Sequence, residues 1–112
     1  MKAYDIYKKA ILRLGYNDHI NDRLLERAPE LINQIASDLK LNPIANIGDE
    51  IVAENTAAEA LCCGVAMLLA LNEGDGEKHR FFCNIYNGKR GSVLSSATFV
   101  KDKLPVTEGG GF

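Results

Sequence analysis

The chain opens on a three-and-four spacing of apolar positions. From Ala3, apolar side chains return at Ile6, Tyr7, Ala10, Ile11 and Leu14, one face of a helix. Gly15 can take the left-handed conformation that closes it. A first helix is therefore predicted over residues 3–14. Asn17-Asp18-His19 form a polar turn, and Asn21-Asp22 are good N-caps for a second amphipathic run. In that run Leu24, Leu25, Ala28, Leu31, Ile32, Ile35, Ala36 and Leu39 share a face. The second helix is expected to reach about Lys40. Pro29 lies inside it and removes one backbone hydrogen bond, so a kink or a short first segment is expected there.

Between Leu41 and Asn55 the period lapses. Asn42-Pro43 breaks the helix, and Ile44, Ile47, Ile51 and Val52 are apolar without a sustained repeat, which reads as a packed connection with room for a short strand. Thr56-Ala57-Ala58-Glu59 has the spacing of a capping box, opening a third helix that runs to Asn72. From Ala60 to Leu71 this helix is apolar on every side, as a helix surrounded by others must be. Leu61, Val65, Leu68 and Leu69 are expected to be its most buried positions. Gly64 would admit a close neighbour. Gly74-Asp75-Gly76 is a tight turn whose aspartate can cap a fourth helix carrying Phe81, Phe82, Ile85 and Tyr86. Lys89 and Arg90 suit the negative end of that helix. Beyond Gly91, serines, Pro105 and the run Gly109-Gly110-Gly111 read as an extended tail. The predicted fold is all-α: about four short helices, an irregular connection at 41–55, a helical domain over 1–96 and an extended, partly flexible tail over 97–112.

Length and composition bound the function. At 112 residues, with 46% hydrophobic and 25% charged positions, the chain forms one ordinary globular domain with little material for a deep substrate cleft. Thirteen basic against fifteen acidic residues leave a net charge of −2, so no global field attracts nucleic acid or anionic lipid. The apolar stretch Ala60–Leu71 falls short of the ~20 residues that span a bilayer, and the charged N-terminus does not read as a signal peptide. Three cysteines, two of them adjacent, do not read as a secreted disulfide framework, and a reducing compartment is expected.

Candidate chemistry is sparse. His79 and Cys83 lie four apart and could join Cys62 or Cys63 around zinc, but no Cys-x-x-Cys pair supplies the rest of a site, and the cysteines read as small buried apolar residues. Asn87-Gly88-Lys89-Arg90 lacks the first glycine and the final hydroxyl of a phosphate loop. No serine sits in a nucleophile elbow. Neither catalytic residues nor a cofactor are expected. Lys78, Arg80, Lys89 and Arg90 make the fourth helix locally basic, either a stripe facing phosphates or a plain solvated face. In the tail, Phe99, Val100, Leu104 and Val106 are apolar among serines and glycines. They read as an assembly arm, adding a strand or an apolar anchor to a neighbouring subunit or to a different partner protein, or as a segment packed across its own bundle.

The segment from Gly64 to Arg90, GVAMLLALNEGDGEKHRFFCNIYNGKR, with the order of elements around it, resembles small helical head-tail connector (adaptor) proteins of tailed phages and prophages. In those sequences an amphipathic helix ends near a pair like Asp38-Leu39, and a loop like Ile47-Gly48-Asp49-Glu50-Ile51 follows. An apolar helix then leads through a Gly-Asp-Gly-Glu-Lys turn into an aromatic helix with Tyr86-Asn87 and Lys89-Arg90. The likeness covers about residues 3–106 and is most specific over 64–90. The glycines at 88 and 91 and the cysteines depart from the pattern.

The resemblance implies a structural virion protein, not an enzyme. Copies would form a ring below the portal, let DNA pass without specific contact, and present a surface to the next head-completion or tail component. Its location would be the virion head–tail interface, and the bacterial host cytoplasm during assembly, with no membrane. A globule of roughly 13 Å radius of gyration cannot enclose a channel alone, and near-neutral charge suits a wall past which DNA must move. The alternatives are another head-closure or tail-completion protein, a small helical DNA-binding regulator, or an enzyme marked by a pocket of converging titratable groups.

Overall fold

Local signals place the first helix where the spacing put it. In the computed structural model, which describes residues 1–16 and 22–103 and the side chains of 1–16 and 25–95, α1 spans Ala3–Leu14. The Asp5 carboxylate accepts the Lys2 N–H at 3.3 Å, and Gly15 closes the helix at φ 74°. The second helix, α2, spans Asp22–Asp38 and passes through Pro29 without interruption. It stops two residues short of Lys40 because that lysine turns left-handed at φ 63°, which lets the Leu41 N–H reach back to the Ala36 carbonyl at 2.7 Å. The expected caps Asn21 and Asp22 cannot be compared, because Asn21 and the side chain at 22 lie outside the described residues.

The connection from 41 to 54 carries no named strand and is held by a few polar anchors. The Asn33 side-chain amide donates to the Ile44 carbonyl and accepts the Ile44 N–H, both at 2.8 Å, as a strand neighbour would. Asp49 caps the Ala45 and Asn46 N–H groups at 2.8 and 2.9 Å, and those bonds hold its carboxyl below the ordinary value. Backbone bonds from Ala3 to Asp49 and from Ile51 to Met1 close a single antiparallel bridge at Lys2 and Glu50. Ile44 and Ile51 are thereby folded into the core.

The third helix, α3, spans Asn55–Asn72. It starts one residue before Thr56, with Glu54 at the N-cap and no side-chain cap, so the capping box expected from Thr56 and Glu59 does not form. Glu59 instead turns to Arg13 of α1, at 2.7 Å. Leu61, Val65 and Leu69 are wholly buried at the centre of the protein, against α1, α2 and α4. Leu68 corrects the expectation: it is only half-buried, with Met67 beside it and Leu71 exposed on the same side. The helix is enclosed around Ala60–Ala66 and loses cover on that side near its C-terminal end. By length and hydropathy α3 reaches the range of a membrane-crossing helix, but its apolar surface serves as the core.

The fourth helix, α4, spans Gly76–Lys103, and Asp75 caps it through the Lys78 N–H at 3.1 Å, as expected. Phe82 and Tyr86 face inward and Ile85 is half-buried, whereas Phe81 is 60% exposed, since successive residues point about 100° apart. The helix does not end at Lys89-Arg90. Gly91 keeps an ordinary helical backbone, Arg90 is engaged by α2, and the Ser92 hydroxyl bonds back to the Gly88 carbonyl. Residues 97–103, expected to be extended, are therefore helical. At 28 residues α4 is about 42 Å long against about 27 Å for the 18-residue α3, and it overhangs its partner. The radius of gyration is accordingly 15.5 Å, above the expected value for a sphere-like chain.

Candidate functional site

Among the described residues, three polar clusters and a groove are features from which a site could be built. The most connected cluster joins α2 to α4. Tyr86, nearly inaccessible at its ring, donates its hydroxyl to the Asp38 carboxylate, and Arg90 donates Nε to the same oxygen at 2.7 Å. Arg90 first, then Tyr86, holds the Asp38 carboxyl below its ordinary value, while burial and that carboxylate push the Tyr86 phenol up. Both donors stabilise the ionised aspartate. The arrangement acts as a latch between α2 and α4.

The second cluster ties α1 to α3. Arg13 Nη2 meets Glu59 at 2.7 Å, and Nη1 lies 3.7 Å from Cys63 Sγ. The pair holds Glu59 down and Arg13 up. Burial pushes the Cys62 thiol up to about 11 and raises that of Cys63 as well, so neither has thiolate character at neutral pH. The third cluster closes the α3–α4 turn over the end of α1. Lys78 Nζ donates to the Leu14 carbonyl, one of the orphan acceptors of that helix end, and lies 4.8 Å from the Tyr16 ring centroid. Beneath it, Tyr7 is fully buried and its hydroxyl meets no hydrogen-bond partner among the described residues.

The residues singled out from the sequence are dispersed by this geometry. On a 3.6-residue period Lys78 and Lys89 fall within about 20° of each other, Arg90 about 120° away and Arg80 about 200° away, so the four do not form one stripe. Lys78 is used on Leu14 and Arg90 on Asp38; Arg80 is exposed and Lys89 half-buried. His79 places Nδ1 2.9 Å from the Met67 carbonyl, so that nitrogen carries the proton, and Cys83 accepts a bond from Asn87 at 3.7 Å. Among the described residues no three His, Cys, Asp or Glu side chains gather as metal ligands would. Phe99 and Val100 fall on the overhanging end of α4, their side chains outside the described residues; Leu104 and Val106 lie outside them altogether.

The groove lies between the first half of α2 and the connection. Leu25, Glu26, Pro29, Ala45, Asn46 and Ile47 line an open trough of about 440 Å³ whose floor is mostly apolar. It holds one carboxylate and no converging set of titratable groups, which suits a docked side chain better than a reacting substrate. Asn33, Asp38 and Glu59 were not candidates on sequence; each acts on a partner 11 to 52 residues away, and only the Asp38-Leu39 pair carried any signal.

Together the fold and these clusters define an all-α protein, with four helices among the described residues, whose polar groups chiefly bind its own elements together. Comparison with family models, curated proteins and solved structures gives no match.

Proposed function

We propose that the protein is a structural component of the head–tail junction of a tailed phage or prophage, a connector whose copies form a ring below the portal. The observation that carries this reading is the convergence of three residues of the connector-like pattern. Asp38, Tyr86 and Arg90, from separate parts of the connector-like pattern, meet in one latch that fixes the aromatic helix α4 to the end of α2. A residue set shared for chemistry would converge on a cavity; this one converges on a joint between helices. A small body with an overhanging helix is also suited to a ring, where a channel must be walled by several copies and each needs an element that reaches the next. The DNA-binding regulator is disfavoured, since α3 is enclosed, α4 turns Phe82 and Tyr86 inward, and Lys78, Arg80, Lys89 and Arg90 do not share one face.

The test is to tag the chain in cells that assemble the particles, purify them, and locate it by mass spectrometry and labelled cryo-electron microscopy. The expected result is a ring of density between portal and tail. Particles that lack the chain, or that carry it in the capsid shell or tail tip, refute the reading.

A further inference from the structure

From the trough beside α2 and the overhang of α4 we infer a specific contact between copies: Leu104-Pro105-Val106 of one chain docks in the groove formed by Leu25, Pro29, Ala45 and Ile47 of the next. This deepens the ring reading by naming what joins neighbours.

Reach decides against a chain filling its own groove. Near the start of α2, Arg27 donates to Asn72 at 3.2 Å, just before α4 begins, and at the end of α2 Asp38 meets Tyr86 and Arg90. Both helices thus point the same way, from the α3–α4 turn toward the Asp38 latch, and the groove at the start of α2 lies near the level of the first turn of α4. Lys103 is 27 helical rises further on, about 40 Å away. Three more residues give at most about 11 Å of reach, well short of that distance. The tripeptide can meet that groove only on a second molecule.

The chemistry of the two surfaces matches. The groove is a mostly apolar trough with Glu26 on its wall and exposed Glu30 one turn along, while the neighbouring Arg27 is turned away to Asn72. The tripeptide offers two aliphatic side chains, and its proline biases Leu104 toward extended backbone, which lowers the ordering cost of lying in a trough. Lys101 and Lys103 immediately precede it, with Asp102 between them, and supply the charge that Glu26 and Glu30 lack. A contact between one end of a molecule and a different surface of the next is heterologous. Repeated around an axis, it closes a ring.

The experiment uses two full-length chains of different tagged size in a Cys83→Ser background, one carrying Ala45→Cys and the other Val106→Cys, mixed at high concentration under mild oxidation. The expected product is a disulfide between the two sizes, at a yield well above that from pairing Val106→Cys with exposed Leu12→Cys. Glu26→Lys in the groove chain should lower the yield about fivefold, and Lys101→Glu with Lys103→Glu in the other should restore it. Glu26 is exposed, and the helical circular dichroism of every variant, which should be unchanged, serves as the folding control. A yield no greater than the Leu12 control, or insensitivity to both charge reversals, overturns the contact. If the contact fails while the chain still occupies the head–tail junction of particles, the connector reading survives; if the contact forms but particles lack the chain, the reverse holds.

Discussion

The Tyr86 hydroxyl donates to the Asp38 carboxylate across 48 residues of sequence, and this bond, shared with Arg90, joins the end of α2 to the middle of α4. Tyr86→Phe keeps the buried ring and removes only the donor. It is expected to cost about 1 kcal/mol, the usual net worth of such a bond, in urea unfolding at pH 7. Asp38→Asn in the Tyr86→Phe background should then cost less than Asp38→Asn alone. Additive losses would show that the two residues do not act together.

Three helical glycines should respond to alanine with opposite signs. A Cβ at Gly64 would lie 2.6 Å from Ile35 Cγ2 inside the core, whereas at Gly88 and Gly91 it meets nothing within 4 Å. Gly88→Ala and Gly91→Ala are each expected to stabilise by about 0.5–1 kcal/mol through helix propensity. Gly64→Ala gains the same propensity but overpacks α2 against α3, at a cost of about 1–3 kcal/mol, and should be net destabilising. Thermal unfolding checks all three. In an Ile35→Ala background Gly64→Ala should become neutral or favourable, because the cavity accepts the methyl group.

Acid is expected to loosen the protein in a defined window. Asp38 and Glu59 are held below their ordinary values of 3.8 and 4.5, by Arg90 and Arg13 respectively before any other group. A carboxyl depressed on folding contributes stability that is complete above its unfolded value and is lost as pH falls through its folded value. Stability should therefore hold from neutrality to about pH 4.5 and fall below about pH 4. With both carboxylates partly exposed, each contributes less than about 1 kcal/mol after screening. Asp38→Asn should flatten the acid limb, so that its deficit against the native protein shrinks from pH 7 to pH 3; a constant deficit contradicts the assignment.

Leucines 68 and 69 are neighbours with different surroundings. Leu69 is wholly buried and Leu68 half-buried. Leu69→Ala is expected to cost about 2–5 kcal/mol through a cavity, and Leu68→Ala, which opens onto solvent, about 1 kcal/mol. Equal losses in chemical denaturation would place Leu68 inside the core.

What could be read along the chain was local. The bounds of α1 are set by Ala3 through Leu14 and by Gly15, all visible within one run, and Asp75 caps α4 from its own turn. What escaped was set by distant partners. Lys89-Arg90-Gly91 has the form of a helix end, but Arg90 answers to Asp38 and Gly91 continues the helix. Thr56 to Glu59 has the spacing of a capping box, but Glu59 is taken by Arg13, 46 residues earlier. The exposure of Leu68 depends on which neighbours cover that side of α3 near its C-terminal end, which no period within α3 encodes. The same holds for Lys78, whose charge reads as surface until the Leu14 carbonyl is found beneath it.

The double bond between the Asn33 side chain and the Ile44 backbone has a dynamic consequence. An amide held by a part-buried, doubly bonded side chain exchanges with deuterium only when that pairing opens, and here the pairing is anchored on α2. The Ile44 amide should therefore exchange with the slow unit of α2, and not with the fast class ordinary for a loop. The stretch from 41 to 54 is then no hinge: tied to α2 by Asn33 and to the first residues by Ala3 and Ile51, it moves as part of the body it crosses.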